Sequence, residues 1–277
     1  MGDERVSPLA DLPAEPGVQK PDAVLAVSGV HRSFGGLQAV NVDRLEIQRH
    51  TVTSLIGPNG AGKTTLFNLL SGFDRVDGGE WHLNGGRLVG ISAYQVARRG
   101  MVRTFQLTRS LARLTVMENM LVADQTNPGE KLRGALIGGW RTAEATAEAK
   151  AIELLARFNL DHMTDEFAGS LSGGQRKLLE VARALMVDPE VIMLDEPMAG
   201  VNPALTQTLL RHITSLREDG KTVIFIEHDM DVVQEISDWV VVMAEGRVIA
   251  EGPPASIARN RAVIDAYLGS HHGEAAS

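Results

Sequence analysis

Val52-Thr53-Ser54-Leu55-Ile56-Gly57-Pro58-Asn59-Gly60-Ala61-Gly62-Lys63-Thr64-Thr65 decides the fold. Its first five residues form an apolar run with the length of a buried strand. Gly57 to Thr64 follow at once and match G-x-x-x-x-G-K-[ST]. Thr64-Thr65-Leu66-Phe67-Asn68-Leu69-Leu70 then reads as a helix, stopped at Ser71-Gly72. A loop between a buried strand and a helix can wrap a polyphosphate with its backbone N–H groups, and the positive end of the helix faces the anion. The glycines allow close backbone approach and positive φ. Lys63 supplies a point charge for the β- and γ-phosphates, and the Thr64 hydroxyl suits Mg²⁺. The residues set against a triphosphate are Gly57, Pro58, Asn59, Gly60, Ala61, Gly62, Lys63, Thr64 and Thr65.

Outward from this loop, strand signals fill the first hundred residues. Ala23 to Val30, Asp43 to Ile47 and Glu80 to Leu83 are short β-type segments, and Asn84-Gly85-Gly86 is a hairpin-type turn. From about Ser92 to Met186 most segments suggest helix. The clearest is Arg141 to Leu160, with apolar Ile152, Leu155 and Phe158. Strands then return in α/β alternation: Val191 to Leu194, Thr222 to Ile226 and Trp239 to Met243. Each looks like a strand buried on both faces, as a covered parallel sheet requires. Pro203 to Arg217 reads as a crossover helix, Glu245-Gly246-Arg247 as a hairpin, and Pro254 to Leu268 as a terminal helix. The organisation is an α/β nucleotide-binding core with a helical block inserted at about residues 92–186. Residues 1–22, with four prolines, and residues 270–277 read as flexible tails.

Composition narrows the class. The chain has 277 residues, 44% hydrophobic and 22% charged, as a soluble globular domain would. A formal charge of −8 argues against wholesale affinity for nucleic acid or anionic lipid. No cysteine is present, so disulfides and thiolate metal sites are excluded, which suits a reducing compartment. No apolar run approaches the roughly 18 residues needed to span a bilayer.

Two further segments complement the loop. The apolar strand Val191 to Leu194 ends in Asp195-Glu196. A carboxylate at a strand's end can reach Mg²⁺, and the next can deprotonate an attacking water; Asp195 takes the metal role and Glu196 the base role. Leu171-Ser172-Gly173-Gly174-Gln175 opens the helix Arg176 to Met186 and makes a second helix start suited to phosphate. One chain already has a phosphate loop, so this second start makes sense if it serves nucleotide held by another copy. The plainer alternative is an N-cap serine followed by flexible glycines.

Taken in order, these residues resemble the ATP-binding cassette ATPases, with Walker A at Gly57 to Thr64, the signature at Leu171 to Gln175 and Walker B at Val191 to Glu196. The resemblance covers about Val24 to Gly269. It implies a P-loop NTPase core: a RecA-like parallel sheet, an N-terminal antiparallel β subdomain and an inserted α-helical subdomain. It also implies that two such domains join head to tail around two ATP molecules, each held between one phosphate loop and Ser172, Gly173, Gly174 and Gln175 of the other subunit. By the same resemblance Phe34 stacks on adenine, Gln106 contacts Mg²⁺ and links core to insert, and His228 touches the γ-phosphate as a catalytic partner of Glu196. One departure stands out. Many cassettes follow Walker B with a loop ending in Leu-Asp, whereas this chain has Val201-Asn202, which leaves the strength of coupling between subunits open.

Within the family the chain is most similar to the ATPases of branched-chain amino acid importers. The words that carry this are Phe34-Gly35-Gly36-Leu37, Val102 to Gln106, Leu114 to Asn119, Ile226 to Met230 and Val263 to Gly269. Urea and short-chain amide importers use similar ATPases. The resemblance implies ATP and Mg²⁺, membrane permease subunits, a second ATPase (a copy or, as the resemblance favours, a related chain) and, indirectly, a periplasmic or extracellular solute-binding protein. The expected location is the cytoplasmic face of the membrane, with no nucleic-acid partner. The alternative class is a soluble cassette serving as a mechanical or regulatory module in translation or DNA repair; such proteins usually carry tandem cassettes, long arms or zinc modules.

Overall fold

A computed structural model describes residues 9, 11–104, 111–124 and 140–273. Two sheets organise it. Ala23–Phe34 (β1), Leu37–Gln48 (β2), Gly78–Leu83 (β4) and Gly86–Arg87 (β5) form a four-stranded sheet in the order β2-β1-β4-β5, with every pairing antiparallel. Val52–Ile56 (β3) lies in the other sheet with Met101–Arg103 (β6), Val191–Asp195 (β7), Thr222–Ile226 (β8), Trp239–Ala244 (β9) and Arg247–Gly252 (β10), in the order β10-β9-β3-β8-β7-β6. β9, β3, β8 and β7 run parallel, and β10 is antiparallel to β9.

The parallel strands explain their own sequence. All five residues of β3 and of β8 are buried, and so are Val191 to Leu194. Near-continuous apolar runs suit cover on both faces, and the buried Ser54 hydroxyl lies within hydrogen-bond distance of the Ser237 hydroxyl at 2.8 Å. The hairpin turns also follow from local chemistry. Asn84-Gly85 and Glu245-Gly246 both take positive φ, as two-residue turns between antiparallel strands require.

The chain divides into two compact units. The first comprises Met1–Met101, Glu190–Pro197 and Ile213–Ser277; it holds both sheets' main strands, Lys63–Leu70 (α1) and Ala93–Ala97 (α2). Phe67, Trp81 and Trp239 are fully buried in its core. The second comprises Val102–Pro189 and Met198–His212. It contains Val116–Ala123 (α3), Trp140–Arg157 (α4) and Gly173–Leu185 (α5), and most of Pro203–Glu218 (α6). It therefore starts later than residue 92 and takes in a segment beyond Met186. On α4 the buried stripe is Ala147, Ala151 and Leu155, continued by Phe158, whereas Ile152 is exposed. Alanines at the i, i+4 positions mark that face less visibly than the single isoleucine beside it.

The expected N-terminal tail is corrected from Leu9 onward. Leu9 is buried in the core of the first unit, with Leu12 and Val18 packed against it. The fully buried carboxylate of Glu251 accepts the N–H groups of Gly17 and Val18, the Lys20 ammonium at 2.9 Å and the Trp239 indole N–H at 2.8 Å. Lys20 also lies 4.0 Å above the Trp239 ring. Burial pushes the Lys20 pKa down, and the attraction of Glu251 opposes that. A proline-rich polar composition reads as disorder, but one buried carboxylate with all its donors supplied overrides it.

The terminal helix differs too. It is split into Pro254–Ile257 (α8) and Arg261–Gly273 (α9), following Met230–Ile236 (α7) in chain order. Asn260 caps the second piece, its Oδ1 accepting the N–H groups of Ala262 at 2.9 Å and Val263 at 3.4 Å. Helix thus continues through residues 270–273, and 274–277 lie outside the described residues.

Candidate functional site

β3 delivers the chain into a loop that its neighbours hold tightly. Gly57 has φ 147°, and a Cβ there would lie 2.0 Å from the Met243 carbonyl oxygen of β9. Gly62 has φ 94°, and its Cβ would lie 2.3 Å from the Ala39 carbonyl oxygen of β2. No L side chain fits either place. The Gly246 N–H donates to the Ala61 carbonyl at 3.0 Å, and Asn41 donates to Gly246 at 2.7 Å, so the β9–β10 turn ties the loop to β2.

α1 begins at Lys63, and its first N–H groups have no partner within the helix. The Lys63 ammonium donates to the carbonyls of Gly57 at 2.6 Å and Pro58 at 3.0 Å, which folds the side chain over the loop. Burial lowers its pKa, while the charges of Glu196 and Asp195 act to raise it. A cleft of about 640 Å³ opens here, lined by Asn59 to Thr65, by Leu37, Gln38 and Ala39, and by Glu196, Glu245 and Gly246. That volume suits a nucleotide-sized ligand.

The carboxyl end of β7 supplies the acidic groups. Glu196 takes the left-handed conformation, φ 46°, and its N–H donates to the Ile226 carbonyl of β8 at 3.1 Å. A non-glycine residue in this region is unusual, and here it turns the chain as the strand ends, with Glu196 on the cleft wall. Across β8, His228 is exposed, while Glu227 beside it is buried. The Glu227 carboxylate accepts the His228 N–H at 3.0 Å and lies 3.6 Å from its ring Nδ1. Asp229 caps α7 by accepting the N–H of Asp231 at 2.9 Å.

In the second unit Ser172 is the N-cap of α5. Its hydroxyl accepts the Gln175 N–H at 3.3 Å, and the Gln175 side chain accepts the Ser172 N–H at 2.9 Å, a complete capping box. Ser172 and Gly173 are exposed, whereas Gly174 is buried. A Cβ on Gly174 would meet the Leu205 side chain at 1.8 Å, so that glycine is required by packing against α6. Asn202, the departure from the usual loop, is the N-cap of α6: its Oδ1 accepts the Leu205 N–H at 3.0 Å. Asparagine fills that position as well as aspartate does.

The structure therefore brings Asn59 to Thr65 and Glu196 to one cleft, with Gly57, Pro58 and Asp195 adjoining in the chain. Phe34 and His228 are not on the cleft wall, Ser172 to Gln175 belong to the other unit, and Gln106 lies outside the described residues. Sequence reasoning missed Leu37 to Ala39 and Glu245-Gly246, because strand pairing rather than any motif carries them to the loop. Among the described residues, the Thr64 hydroxyl on the cleft wall and the carboxylate of Asp195, next to Glu196 in the chain, are oxygen groups of the kind a cation would take. Hard oxygen ligands, few in number beside phosphate, fit Mg²⁺.

Comparison with known proteins agrees with this geometry. The sequence profile of the family described as "ABC transporter" matches residues 40–199. A second profile, "Branched-chain amino acid ATP-binding cassette transporter", matches residues 247–273. The chain is 39% identical over 251 residues to the probable branched-chain amino acid transport ATP-binding protein LivG of Archaeoglobus fulgidus, covering 91% of this chain and 97% of that one. It is 43% identical over 249 residues to the high-affinity branched-chain amino acid transport ATP-binding protein BraF of Pseudomonas aeruginosa, covering 89% and 98%. Among solved structures, a nucleotide-free ATP-binding cassette from an ABC transporter superposes with a TM-score of 0.79 at 35% identity, covering 88% of this chain and 98% of that one. The ADP conformation of such a cassette also gives 0.79 at 35%, covering 89% and 99%.

Proposed function

The chain belongs to the ATP-binding cassette transporter family as an ATPase subunit, and from that premise we propose that it powers uptake of branched-chain amino acids through separate membrane permeases. The single observation that carries the reading is the cleft where the helix-start N–H groups, Lys63 and Glu196 converge. The match of residues 247–273 to the branched-chain profile and the names of the relatives support the solute class.

In this scheme the loop N–H groups and Lys63 hold the β- and γ-phosphates of ATP, and Phe34 stacks on the base. Thr64 and Asp195 would hold Mg²⁺, with Gln106 as a further ligand, and the ion would supply positive charge beside the transferring phosphoryl group. Glu196 accepts the proton of the attacking water as its oxygen bonds to the γ-phosphorus and the bond to ADP breaks. His228 orients that attack. Ser172 and Gly174 act on nucleotide held by a second ATPase, a related chain or another copy, so closure of the pair is driven by ATP and released by hydrolysis. Among the described residues no helix is long and apolar enough to cross a membrane. The proposed place of the chain is the cytoplasmic face, bound to permeases that receive solute from a binding protein.

The test is co-purification with its permeases followed by reconstitution in vesicles. ATP-dependent uptake of leucine, isoleucine or valine is expected. Uptake of urea or short-chain amides alone would reassign the solute, and recovery with ribosomes or DNA in place of permeases would remove the transport reading.

A further inference from the structure

Phe34 ends β1 directly opposite Leu37, across the turn Gly35-Gly36. Residues paired in an antiparallel ladder project to the same side, so the Phe34 ring stands beside Leu37, which lines the cleft. Phe34 is 48% exposed, and the Arg32 guanidinium lies 4.6 Å from its ring centroid. Arg32 itself is clamped. Its Nε and Nη2 donate to the two oxygens of Asp74 at 3.2 and 3.0 Å, and its Nη1 donates to Asp77 at 2.7 Å. Asp77 is fixed in turn, accepting the Ser33 N–H at 2.7 Å on its other oxygen. Two carboxylates thus hold the planar group against one face of the ring.

We propose that Arg32 is a positioning residue for nucleotide: clamped by Asp74 and Asp77, it backs the Phe34 ring and leaves one face open to stack on the purine base. The inference rests on the reading of Phe34 as the base platform. A phenylalanine beside a two-glycine turn would otherwise lose rotamer freedom on binding, and a pre-set ring has already lost it. A guanidinium on the ring face adds a cation–π contact. Lysine cannot substitute, because a single ammonium neither forks two carboxylates nor lies flat.

The experiment is calorimetric titration of the full chain with ATP and with inorganic tripolyphosphate, which shares the phosphates and lacks the base. Arg32→Ala should weaken ATP binding about two- to fivefold, the worth of an exposed cation–π contact, and leave tripolyphosphate unchanged. Arg32→Lys should behave like Arg32→Ala, and adding Arg32→Ala to Phe34→Ala should cost nothing more. If Phe34→Ala weakens ATP and Arg32→Ala does not, the inference about Arg32 is overturned and the platform stands. If neither changes ATP affinity, the platform reading of Phe34 falls with it. Equal loss for both ligands, or full affinity in Arg32→Lys, would mean that charge alone matters and would also overturn the proposal.

Discussion

The chain has two glycine-bearing helix starts, at Gly57–Lys63 and at Ser172–Gln175, and they use glycine for different physical reasons. In the first, Gly57 and Gly62 take positive φ and pass within a Cβ's reach of carbonyl oxygens on β9 and β2. The backbone conformation itself is the device, and the sheet holds it. In the second, no glycine takes positive φ. Gly174 is there so that Leu205 can pack, and Ser172 satisfies the helix start through a capping box. The first region carries a lysine, a carboxylate wall and a cleft of its own. The second offers an exposed hydroxyl and glycine at a helix N-terminus, and its proposed role is on nucleotide held by a second subunit. Similar composition therefore does not mean similar duty.

Glu196→Gln tests this contrast most strongly. Phosphate release should fall by about 10²–10⁴-fold, the usual contribution of a general base, while ATP affinity persists because the loop contacts are intact. Turnover near the wild-type rate would remove Glu196 from the base role. Next, Gly57→Ala should cost at least about 3 kcal/mol of stability through strain and overlap, whereas Gly60→Ala, with positive φ but nothing near its Cβ, should cost only about 1–2 kcal/mol. Chemical denaturation of both variants compares them, and equal losses would contradict the distinction between threading and conformation.

In the second region Gly174→Ala should destabilise by about 1–3 kcal/mol through overpacking, with ATP affinity of the isolated chain unchanged. Ser172→Ala should cost about 1 kcal/mol as a lost cap, again without effect on that affinity. A drop in ATP binding by the isolated chain in either variant would show that the second region serves the chain's own cleft. The smallest effect concerns pH. Burial lowers the Lys63 pKa, and lysine is charged only below its pKa, so ATP affinity should start to decline at a lower pH than a solvated lysine would produce. Lys63→Arg should flatten that decline, since arginine stays protonated; a decline that persists would assign it to another group.

Much of this was legible in the chain. The short, mainly apolar runs Val52 to Ile56 and Val191 to Leu194 read as buried parallel strands, because they are too short for helices and are followed at once by Gly57 and Asp195. The positive-φ turn at Asn84-Gly85 follows from residue type, whereas at Glu245-Gly246 only the glycine signals it. Other features were not legible. Asn202 reads as a lost charge until it is seen capping α6. The segment from Leu9 to Lys20 reads as tail because its anchor, Glu251, lies 231 positions from Lys20 in sequence. Arg32 and its two aspartates form no recognisable string.

By itself the sequence determined which local devices exist: the strand–loop–helix that can cradle phosphate, the carboxylate pair at a strand end, the serine–glycine helix start and the family they spell in that order. These are properties of a few consecutive residues, whose backbone preferences and hydrogen-bonding groups act at short range. Only the tertiary structure decided that Leu37 to Ala39 and the Glu245-Gly246 turn line the cleft, that Gly174 answers to Leu205, and that a buried carboxylate secures Gly17, Val18 and Lys20. Each of those depends on contacts between segments far apart in the chain, whose register is set when strands pair and side chains exclude water together, and no short stretch of sequence encodes that alone.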